Sequence, residues 1–356
     1  MTSDGTDSSP RDAGSDAPPH DSIARVEWLS DQGRHVEAAD LLAVMNARTP
    51  RPGWEIKLID LRAAAAASYD SGPGRSPWPP ECADPIPDVE RRIPELGAAE
   101  LTADVLSGAV AHHGCLAVRG VFSPEQAAGF VELIDDAHRS RERRQQTTDR
   151  TGVEVARYRP LPSSKKMLIA LRDRVAERGG IWLADSPTAT AQTIGALNDT
   201  AVLDSIRGHF GERPFFSLQK STLRRVLPED KFASWHQDGA FLDPTVRTMN
   251  LWVALTPCGG DLPTPALEVV PKRVPELLPS INVETSFSVS VEVVAEVAVD
   301  APTIIPEFAP GDALMFDERF LHRTHFAPGM NGTRYALECW MFAPSHHTPN
   351  YTPLLI

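Results

Sequence analysis

The stretch PGDALMFDERFLHRTHFAPGMNGTRYALECWMF, residues 310–342, contains three short runs that are rich in β-branched and aromatic residues. The runs cover residues 313–316, 321–326 and 334–342, and segments that contain Asp, Gly or Pro separate them. Short runs of this composition between turn residues are typical of β-strands. This part of the chain is therefore predicted to form strands.

The same pattern extends towards the middle of the chain. Residues 215–226, 249–255 and 287–299 are also rich in β-branched or aromatic residues, and turns such as Pro257-Cys-Gly-Gly260 interrupt them. We predict an α+β protein with a double-stranded β-helix (jelly-roll) core flanked by helices, because this architecture leaves few open sheet edges. Helices that precede strands, without β-α-β alternation, argue against a doubly wound sheet.

The first half of the sequence has helical periodicity. Apolar residues recur at helical spacing from residue 23 to 69, which predicts three short helices. Residues 33–42 resemble one tetratricopeptide unit, but a single unit cannot bury its own face, so an ordinary helical hairpin is preferred. Further on, we predict a helix over 98–111, a strand over 114–119, and a helix over 123–144 that Ser123 caps.

The chain divides into four parts by composition. Residues 1–22 are rich in Asp, Ser, Gly and Pro and are predicted to be a disordered tail. Residues 23–69 form the small N-terminal helical segment. Residues 70–94 contain seven prolines, which predicts an extended linker because proline interrupts both helices and strand ladders. Residues 95–356 form the main domain.

Charge and cysteine usage limit the possible partners and the compartment. The formal net charge of -13 repels a polyanion, so nucleic acid is not an expected partner. Four scattered cysteines without a CxxC pair indicate free thiols in a reducing environment. The N-terminus lacks the apolar core of a secretory signal, and no run approaches the roughly 20 apolar residues of a membrane span. We predict a cytoplasmic protein with no membrane span.

One basic cluster has two interpretations. Arg139, Arg141, Arg143 and Arg144 follow an apolar run at residues 130–134. They are typical of the solvated end of an amphipathic helix. The alternative is a gate for an anionic substrate.

The first half of a candidate metal site is His236 and Asp238. In extended backbone, residues i and i+2 point to the same side, so the imidazole and the carboxylate can converge on one ion. Iron(II) in an oxygenase takes imidazole nitrogen and carboxylate oxygen on one face and keeps other positions open. The pair alone is weak support, because a chain with 11 histidines contains about one His-x-Asp or His-x-Glu pair by chance.

A third ligand and a co-substrate clamp follow further along the chain. His322 lies 322 − 236 = 86 residues after His236, and Thr324 is on the same face of its strand. Arg334 opens the next strand. A guanidinium grips a carboxylate bidentately, and a neighbouring hydroxyl donates another hydrogen bond. These two groups are what the distal carboxylate of 2-oxoglutarate requires while its keto acid end chelates iron.

Three other histidines are rival ligands. His325 is one residue off the parity of His322, so its side chain is expected to point away from the metal. His346 and His347 lie in a Pro-rich segment near the end of the sequence, without a carboxylate partner. We interpret them as surface residues or as part of a pocket rim.

Five runs of the sequence resemble those of the phytanoyl-CoA dioxygenase family, in order and with similar spacing over about residues 95–345. These runs are Trp235-His-Gln-Asp-Gly-Ala-Phe-Leu242, Asn250-Leu-Trp-Val-Ala-Leu255, Pro310-Gly-Asp-Ala-Leu-Met-Phe316, Leu321-His-Arg-Thr324 and Arg334-Tyr-Ala-Leu-Glu338. Together the motifs are specific, whereas each one alone is not.

The resemblance implies a double-stranded β-helix that uses iron(II), 2-oxoglutarate and dioxygen. His236, Asp238 and His322 match the family's metal triad, Arg334 matches the arginine that binds 2-oxoglutarate, and Thr324 matches the hydroxyl two residues after the distal histidine. Relatives that halogenate have a small residue in place of the carboxylate, so the presence of Asp238 favours hydroxylation or desaturation.

The resemblance also concerns residues before the metal motif. Gln219 resembles a position that lines the substrate or co-substrate pocket in some relatives; the other interpretation is a polar residue on a half-exposed strand. Lys220, Arg224 and Arg225 either serve an anionic substrate or face solvent, and we expect them to face solvent.

The sequence therefore predicts a dioxygenase that depends on iron(II) and 2-oxoglutarate. It is expected to hydroxylate a small organic or lipid-like metabolite and to release succinate and CO2, with residues 95–356 as the catalytic domain. The alternative is a non-catalytic jelly-roll protein that binds or scaffolds a partner through its N-terminal helices. The sequence does not indicate the oligomeric state.

Overall fold

The computed structural model describes residues 22–356 apart from 76, 90–91, 164, 229–233, 243–244 and 284–285. The predicted disordered tail, residues 1–22, lies outside the described residues except for Ser22. That residue caps the first helix, because its side chain accepts a hydrogen bond from the backbone N–H of Arg25.

Helices make up most of the first half of the described chain. The α-helices are α1 Ile23–Asp31, α2 His35–Arg48, α3 Pro52–Ala67, α4 Ala103–His113, α5 Pro124–Gln146, α6 Gly152–Arg157, α7 Lys166–Glu177, α8 Pro187–Asn198, α9 Val202–Phe210 and α10 Val291–Val297. Single 3-10 turns cover Ala98–Glu100, Leu183–Asp185, Asp238–Phe241 and Pro344–His346. No helix among the described residues combines the length and the apolar character that crossing a bilayer requires.

Most of the strands lie in the second half. The strands are β1 Glu95–Gly97, β2 Cys115–Arg119, β3 Gly180–Trp182, β4 Phe215–Ser217, β5 Thr222–Val226, β6 Thr248–Ala254, β7 Ala266–Val269, β8 Ser280–Val283, β9 Ser286–Val289, β10 Ala313–Phe316, β11 His322–His325, β12 Arg334–Phe342 and β13 Pro353–Leu355.

The three predicted N-terminal helices are present and pack on the main sheet. Val26, Leu42 and Leu58 share a small core of their own. The other face of α3 contacts α8 and β13, and Nη1 of the buried Arg62 donates to the carbonyl oxygen of Leu355 at 3.1 Å. The helical segment is thereby attached to the last strand.

The predicted helix, strand and helix of residues 98–144 are also present. The first helix begins later than predicted, at residue 103, because residues 98–100 form a 3-10 turn and Thr102 caps α4. Gly114 ends α4 with φ 85°, a left-handed conformation that favours glycine. Ser123 caps α5 as predicted, in a reciprocal pair with Gln126.

The larger sheet has the central order β10-β6-β12-β5, and all of these neighbours are antiparallel. The parallel pair β1 and β2 extends the sheet beyond β10. At the other side, β3 pairs with β5, and β4 joins the far end of β12 to β13. The helices cover one face of this sheet.

The smaller sheet lies against the opposite face. Its strands β7 and β11 are antiparallel, and isolated bridges extend it through His236 on one side and Ile304 on the other. Trp252 of the larger sheet and Leu267 of the smaller one meet in a common core between the layers. The predicted fold class, a jelly roll flanked by helices, is confirmed by these two facing sheets.

Two strand predictions were wrong in extent. Residues 287–299 were predicted to form one strand, but β9 ends at Val289 and α10 follows. The Ser290 side chain accepts from the N–H of Val293 and starts the helix, which outweighs the β-propensity of the valines. The run 215–226 is divided into β4 and β5 by a turn at 218–221.

Candidate metal centre

The two histidines of the predicted triad lie directly opposite each other. His236 and His322 exchange both backbone hydrogen bonds, at 3.0 and 3.1 Å, and their ring centroids are 4.4 Å apart. The Nδ1 atom of His236 lies 2.9 Å from the carbonyl oxygen of Ser234, and Nδ1 of His322 lies 3.0 Å from that of Phe320. A carbonyl only accepts, so each Nδ1 is the protonated donor and each Nε2 has a free lone pair.

Asp238 completes the cluster from a different local structure than predicted. It begins a 3-10 turn instead of lying in a strand, yet its Oδ1 is 3.7 Å from Nε2 of His236. One ligand atom of each triad residue lies within 4.8 Å of the others. The Oδ2 atom of Asp238 accepts a hydrogen bond from the side-chain amide of Asn250 on β6. The three residues are therefore brought together as predicted.

The chemistry of this donor set fits iron(II). Burial lowers the pKa of His236 to about 4, with a smaller contribution from His322, and burial also lowers the pKa of His322. Both imidazoles are therefore neutral near pH 7, which is the form that binds metal. Burial raises the pKa of Asp238 to about 6, and a divalent cation would favour its carboxylate form. Two nitrogens and one oxygen leave the remaining positions of an iron ion open.

Gln237, between two of the candidate ligands, holds the surrounding chain in place. Its Oε1 accepts from the N–H of Leu278 at 2.7 Å. Its Nε2 donates to the carbonyl oxygens of Glu276 and Arg319, at 3.1 and 2.6 Å. The turn that carries Asp238 is thereby tied to two segments, one of which leads directly into His322.

Arg334 is buried and opens β12, as predicted. Its Nη1 donates to the carbonyl oxygen of Ala266 at 3.1 Å, and its guanidinium carbon lies 5.6 Å from the ring centroid of Trp252. The Nε of Arg334 and the indole Nε1 of Trp252 are both buried without a hydrogen-bond partner. Unpaired buried donors are costly, and a carboxylate is the type of acceptor that would satisfy them.

Thr324 lies on β11 opposite Leu267, next to the Ala266 carbonyl that Arg334 contacts. Its strand parity puts its side chain on the same face as that of His322. Thr324 thus pairs with Leu267, and the guanidinium of Arg334 reaches the carbonyl oxygen of the adjacent Ala266. The donor set at this place fits one end of 2-oxoglutarate.

His325 lies on the opposite face of β11. Its Nδ1 is 3.3 Å from Oε2 of Glu268, and Nε of Arg323 donates to the same oxygen at 2.7 Å. The alternation predicted from strand parity is present: Arg323 and His325 share one face, and His322 is on the other.

Both polar atoms of the Gln219 side chain form hydrogen bonds within the protein. Its Oε1 accepts from the N–H of Thr352 at 2.7 Å, and its Nε2 donates to Oγ1 of Thr352 at 2.9 Å. These bonds join the turn after β4 to the segment that leads into β13. The side chain thus has a structural function, and the structure does not bring it into the triad.

The expectation that the three nearby cations face solvent was wrong. The ammonium of Lys220 lies 3.9 Å from the ring centroid of Phe241 and is half-buried. Arg224 donates to Oε1 of Glu338 at 2.8 Å, and Arg225 forms an ion pair with Asp135 at 3.3 Å. All three side chains are partly buried. Arg224 and Arg225 lie on β5, which pairs with β12 and β3, and Lys220 lies in the turn before it.

Several residues of the centre were not singled out from sequence. Asn250 and Trp252 alternate along β6, and Glu338 lies opposite Trp252 on β12. The sequence indicates this arrangement in part, because Asn250 and Trp252 are two residues apart in a predicted strand and their side chains therefore lie on the same face. The ammonium and ring contacts of Lys220 have no such local signal.

The comparisons with known proteins concern the same region. Residues 110–271 match the phytanoyl-CoA dioxygenase family (PhyH). This segment includes His236 and Asp238 and ends before His322. No curated protein matches the sequence.

Solved structures of low sequence identity resemble the chain. AviO1 from Streptomyces viridochromogenes Tue57 is 16% identical, with a TM-score of 0.40 and coverage of 69% of this chain and 94% of that chain. The carbocyclase SnoK of nogalamycin biosynthesis, which depends on α-ketoglutarate, is 13% identical, with a TM-score of 0.44 and coverage of 70% and 86%. EctD from S. alaskensis, with 2-oxoglutarate and 5-hydroxyectoine, is 17% identical, with a TM-score of 0.46 and coverage of 67% and 74%.

Proposed function

We propose that this chain, whose residues 110–271 carry a domain of the phytanoyl-CoA dioxygenase family, hydroxylates a small organic or lipid-like molecule and releases succinate and CO2. The family confirms the predicted enzyme class, a non-haem oxygenase that uses iron and 2-oxoglutarate. It does not favour the non-catalytic alternative.

The observation that carries the proposal is the convergence of two neutral imidazoles and one carboxylate on a single point. Their ligand atoms lie within 4.8 Å of one another, and both Nδ1 atoms are held by carbonyl oxygens. Such outer contacts fix the tautomer and the ring orientation of a metal ligand. We assign His236, Asp238 and His322 as the iron ligands on this basis.

We further propose that Arg334 and Thr324 hold the distal carboxylate of 2-oxoglutarate. The buried Nε of Arg334, which has no acceptor, supports this assignment, as do the contact of its guanidinium with the Ala266 carbonyl and the pairing of Thr324 with the adjacent Leu267. When bound, iron and 2-oxoglutarate supply the oxidation of a C–H bond by dioxygen. The protein contributes placement: Arg334 fixes one end of the co-substrate, Asn250 orients Asp238, and the core around Trp252 excludes water.

An anaerobic titration with iron(II) and 2-oxoglutarate tests the enzyme class. The purified protein should develop a visible metal-to-ligand charge-transfer band that saturates at one equivalent of each. Absence of the band at stoichiometric metal would contradict the proposal. Succinate release with and without candidate substrates is the second measurement, since a protein that only binds releases none.

The remaining assignments are also proposals. We propose that Asp238, as a carboxylate in the triad, directs the reaction towards hydroxylation or desaturation. Residues 95–356 are proposed as the catalytic domain, after a tail at 1–22, a helical segment at 23–69 and a linker at 70–94. The absence of a nucleic-acid partner is proposed from the net charge of -13, and a cytoplasmic location from the four scattered cysteines. A small-molecule substrate is proposed from the family.

A further inference from the structure

The side chain of Lys220 ends among three aromatic rings. Its Nζ lies 3.9 Å from the ring centroid of Phe241, 5.1 Å from that of Trp340 and 5.0 Å from that of Tyr351. The rings come from the turn that follows Asp238, from β12 and from the segment before β13. We call these four residues the Lys220 cage.

The ammonium in the Lys220 cage lacks an anionic hydrogen-bond partner. Among the described residues, none accepts a hydrogen bond from Nζ, although an ammonium has three N–H donors. Ring faces attract a cation, by about 0.5 to 2 kcal/mol each, but do not replace hydrogen bonds. Burial lowers the pKa of Lys220 to about 7, and Asp238 is the carboxylate that opposes this shift. These donors are therefore available to an external anion.

The Lys220 cage is next to the candidate metal ligands. Trp340 is the register partner of Asn250 on the neighbouring strand, and Asn250 donates to Asp238. Phe241 belongs to the same 3-10 turn as Asp238. A molecule held in the cage therefore lies beside the carboxylate side of the triad.

The cage and the co-substrate clamp are at opposite ends of β12. Arg334 and Trp340 share one face of this strand and are six residues apart, which is about 20 Å of extended backbone. The cage and the clamp are thus at separate places along β12, and competition with 2-oxoglutarate tests whether the cage takes a different ligand.

We propose that the Lys220 cage is the substrate subsite and that it binds an organic anion, with the anionic group on the Lys220 ammonium and an apolar or planar body against the Phe241, Trp340 and Tyr351 rings. This inference rests on the proposed oxygenase function and adds a substrate class to it. The cage would fix the substrate so that a C–H bond next to its body faces the metal.

Binding of matched probes tests the cage without turnover. Isothermal titration of the anaerobic complex with iron(II) and saturating 2-oxoglutarate would compare 3-phenylpropionate with its neutral amide. A charge-assisted contact is worth about 1.5 to 3 kcal/mol, or about 10- to 150-fold in affinity, so the anion should bind at least about 10-fold more tightly. Lys220→Met should remove this preference, Lys220→Arg should retain part of it, and the control Lys166→Met, on an exposed lysine, should leave it unchanged.

A second measurement uses only the wild-type protein, so it does not depend on whether a variant folds. Acetylation of Lys220 in the wild-type protein, followed by peptide mass spectrometry, should be slowed by 3-phenylpropionate and not by the amide. Equal binding of the two probes, no binding of either, or displacement of the anion by 2-oxoglutarate would overturn the proposal.

The two proposals fail in distinguishable ways. If wild-type protein gives no charge-transfer band, the oxygenase function fails. If the band forms and Lys220→Met keeps the anion preference, only the subsite fails. If Lys220→Met weakens 2-oxoglutarate binding as much as Arg334→Ala does, Lys220 is a co-substrate ligand and the subsite proposal is wrong.

Discussion

Asn250 donates its side-chain amide to Oδ2 of Asp238, and the other oxygen of this carboxylate faces His236. This contact joins β6 of the larger sheet to the 3-10 turn that begins at Asp238. The turn comes directly after His236, which pairs with His322 of the smaller sheet. The contact fixes which carboxylate oxygen is directed towards the candidate metal position. The two sheets of the jelly roll are thus linked at the place where the proposed ligands converge.

Substitution of Asn250 should weaken metal binding although the residue is not a proposed ligand. Loss of an outer-shell partner typically costs about 10- to 100-fold in metal affinity. We expect Asn250→Ala to raise the dissociation constant for iron(II) by such a factor, measured by anaerobic titration. The control Asn198→Ala changes an exposed residue at the end of α8 and should leave the affinity unchanged. Equal affinities for wild type and Asn250→Ala would show that this contact does not orient the ligand.

The two histidines of β11 should behave differently. His322→Ala removes one of three proposed bonds to iron, so iron content and turnover should fall together. His325→Ala should retain stoichiometric iron, because its side chain contacts Glu268 on the other face of the strand. Iron content measured by mass spectrometry after anaerobic loading and desalting separates the two. Loss of iron in His325→Ala with retention in His322→Ala would mean that the other face of β11 points to the metal. The assignment of His322 as a ligand would then be wrong, and so would the assignment of Thr324 to the co-substrate clamp.

Arg334→Ala should separate co-substrate binding from metal binding. The triad stays intact, so iron should remain bound. The loss of a charge-assisted contact is worth about 1.5 to 3 kcal/mol, and we expect the KM for 2-oxoglutarate to rise about 10- to 150-fold. A titration of the charge-transfer band measures the same change without turnover. Unchanged 2-oxoglutarate affinity would exclude the clamp.

Much of the fold was predictable because its strands carry local signals. Strands β10 and β12 have their predicted bounds, since turns with Gly and Pro flank them and both are largely buried. Strand parity also predicted that His322 and His325 point to opposite faces. The helix α10 was missed because its valines favour a strand, while the capping bond from Val293 to Ser290 favours a helix. Composition alone does not rank these two effects.

The Lys220 cage was not predictable for a different reason. Its rings are at positions 241, 340 and 351, and they meet at position 220 only after β12 has paired with its neighbours and the segment before β13 has reached the turn after β4. A contact among four distant segments has no periodicity in the sequence. The same applies to Gln237, whose three partners lie about 40 and 80 residues away, because backbone atoms of any residue type can accept or donate.

Stability should fall with acid through His209, which lies on α9 and packs against Trp78. Its Nδ1 is 2.9 Å from Oγ of Ser107, its Nε2 is buried without a partner, and burial lowers its pKa to about 3, with smaller contributions from Arg75 and Arg273. The unfolded chain binds a proton near pH 6.5 and the folded one does not. The stability associated with neutral His209 is therefore complete above pH 6.5 and is lost as the pH falls towards 3, by about 1.4 kcal/mol per pH unit.

A comparison of variants isolates this contribution from that of the other buried histidines. Urea unfolding at several pH values between 7 and 4.5 should give a free energy of unfolding that falls less steeply for His209→Gln than for wild type, by about 2 to 3 kcal/mol over the range. His112→Gln changes an exposed histidine and should follow the wild-type profile. If His209→Gln were as sensitive to acid as wild type, the imidazole of His209 would be protonated within the folded protein, and its environment would have to supply an acceptor for Nε2.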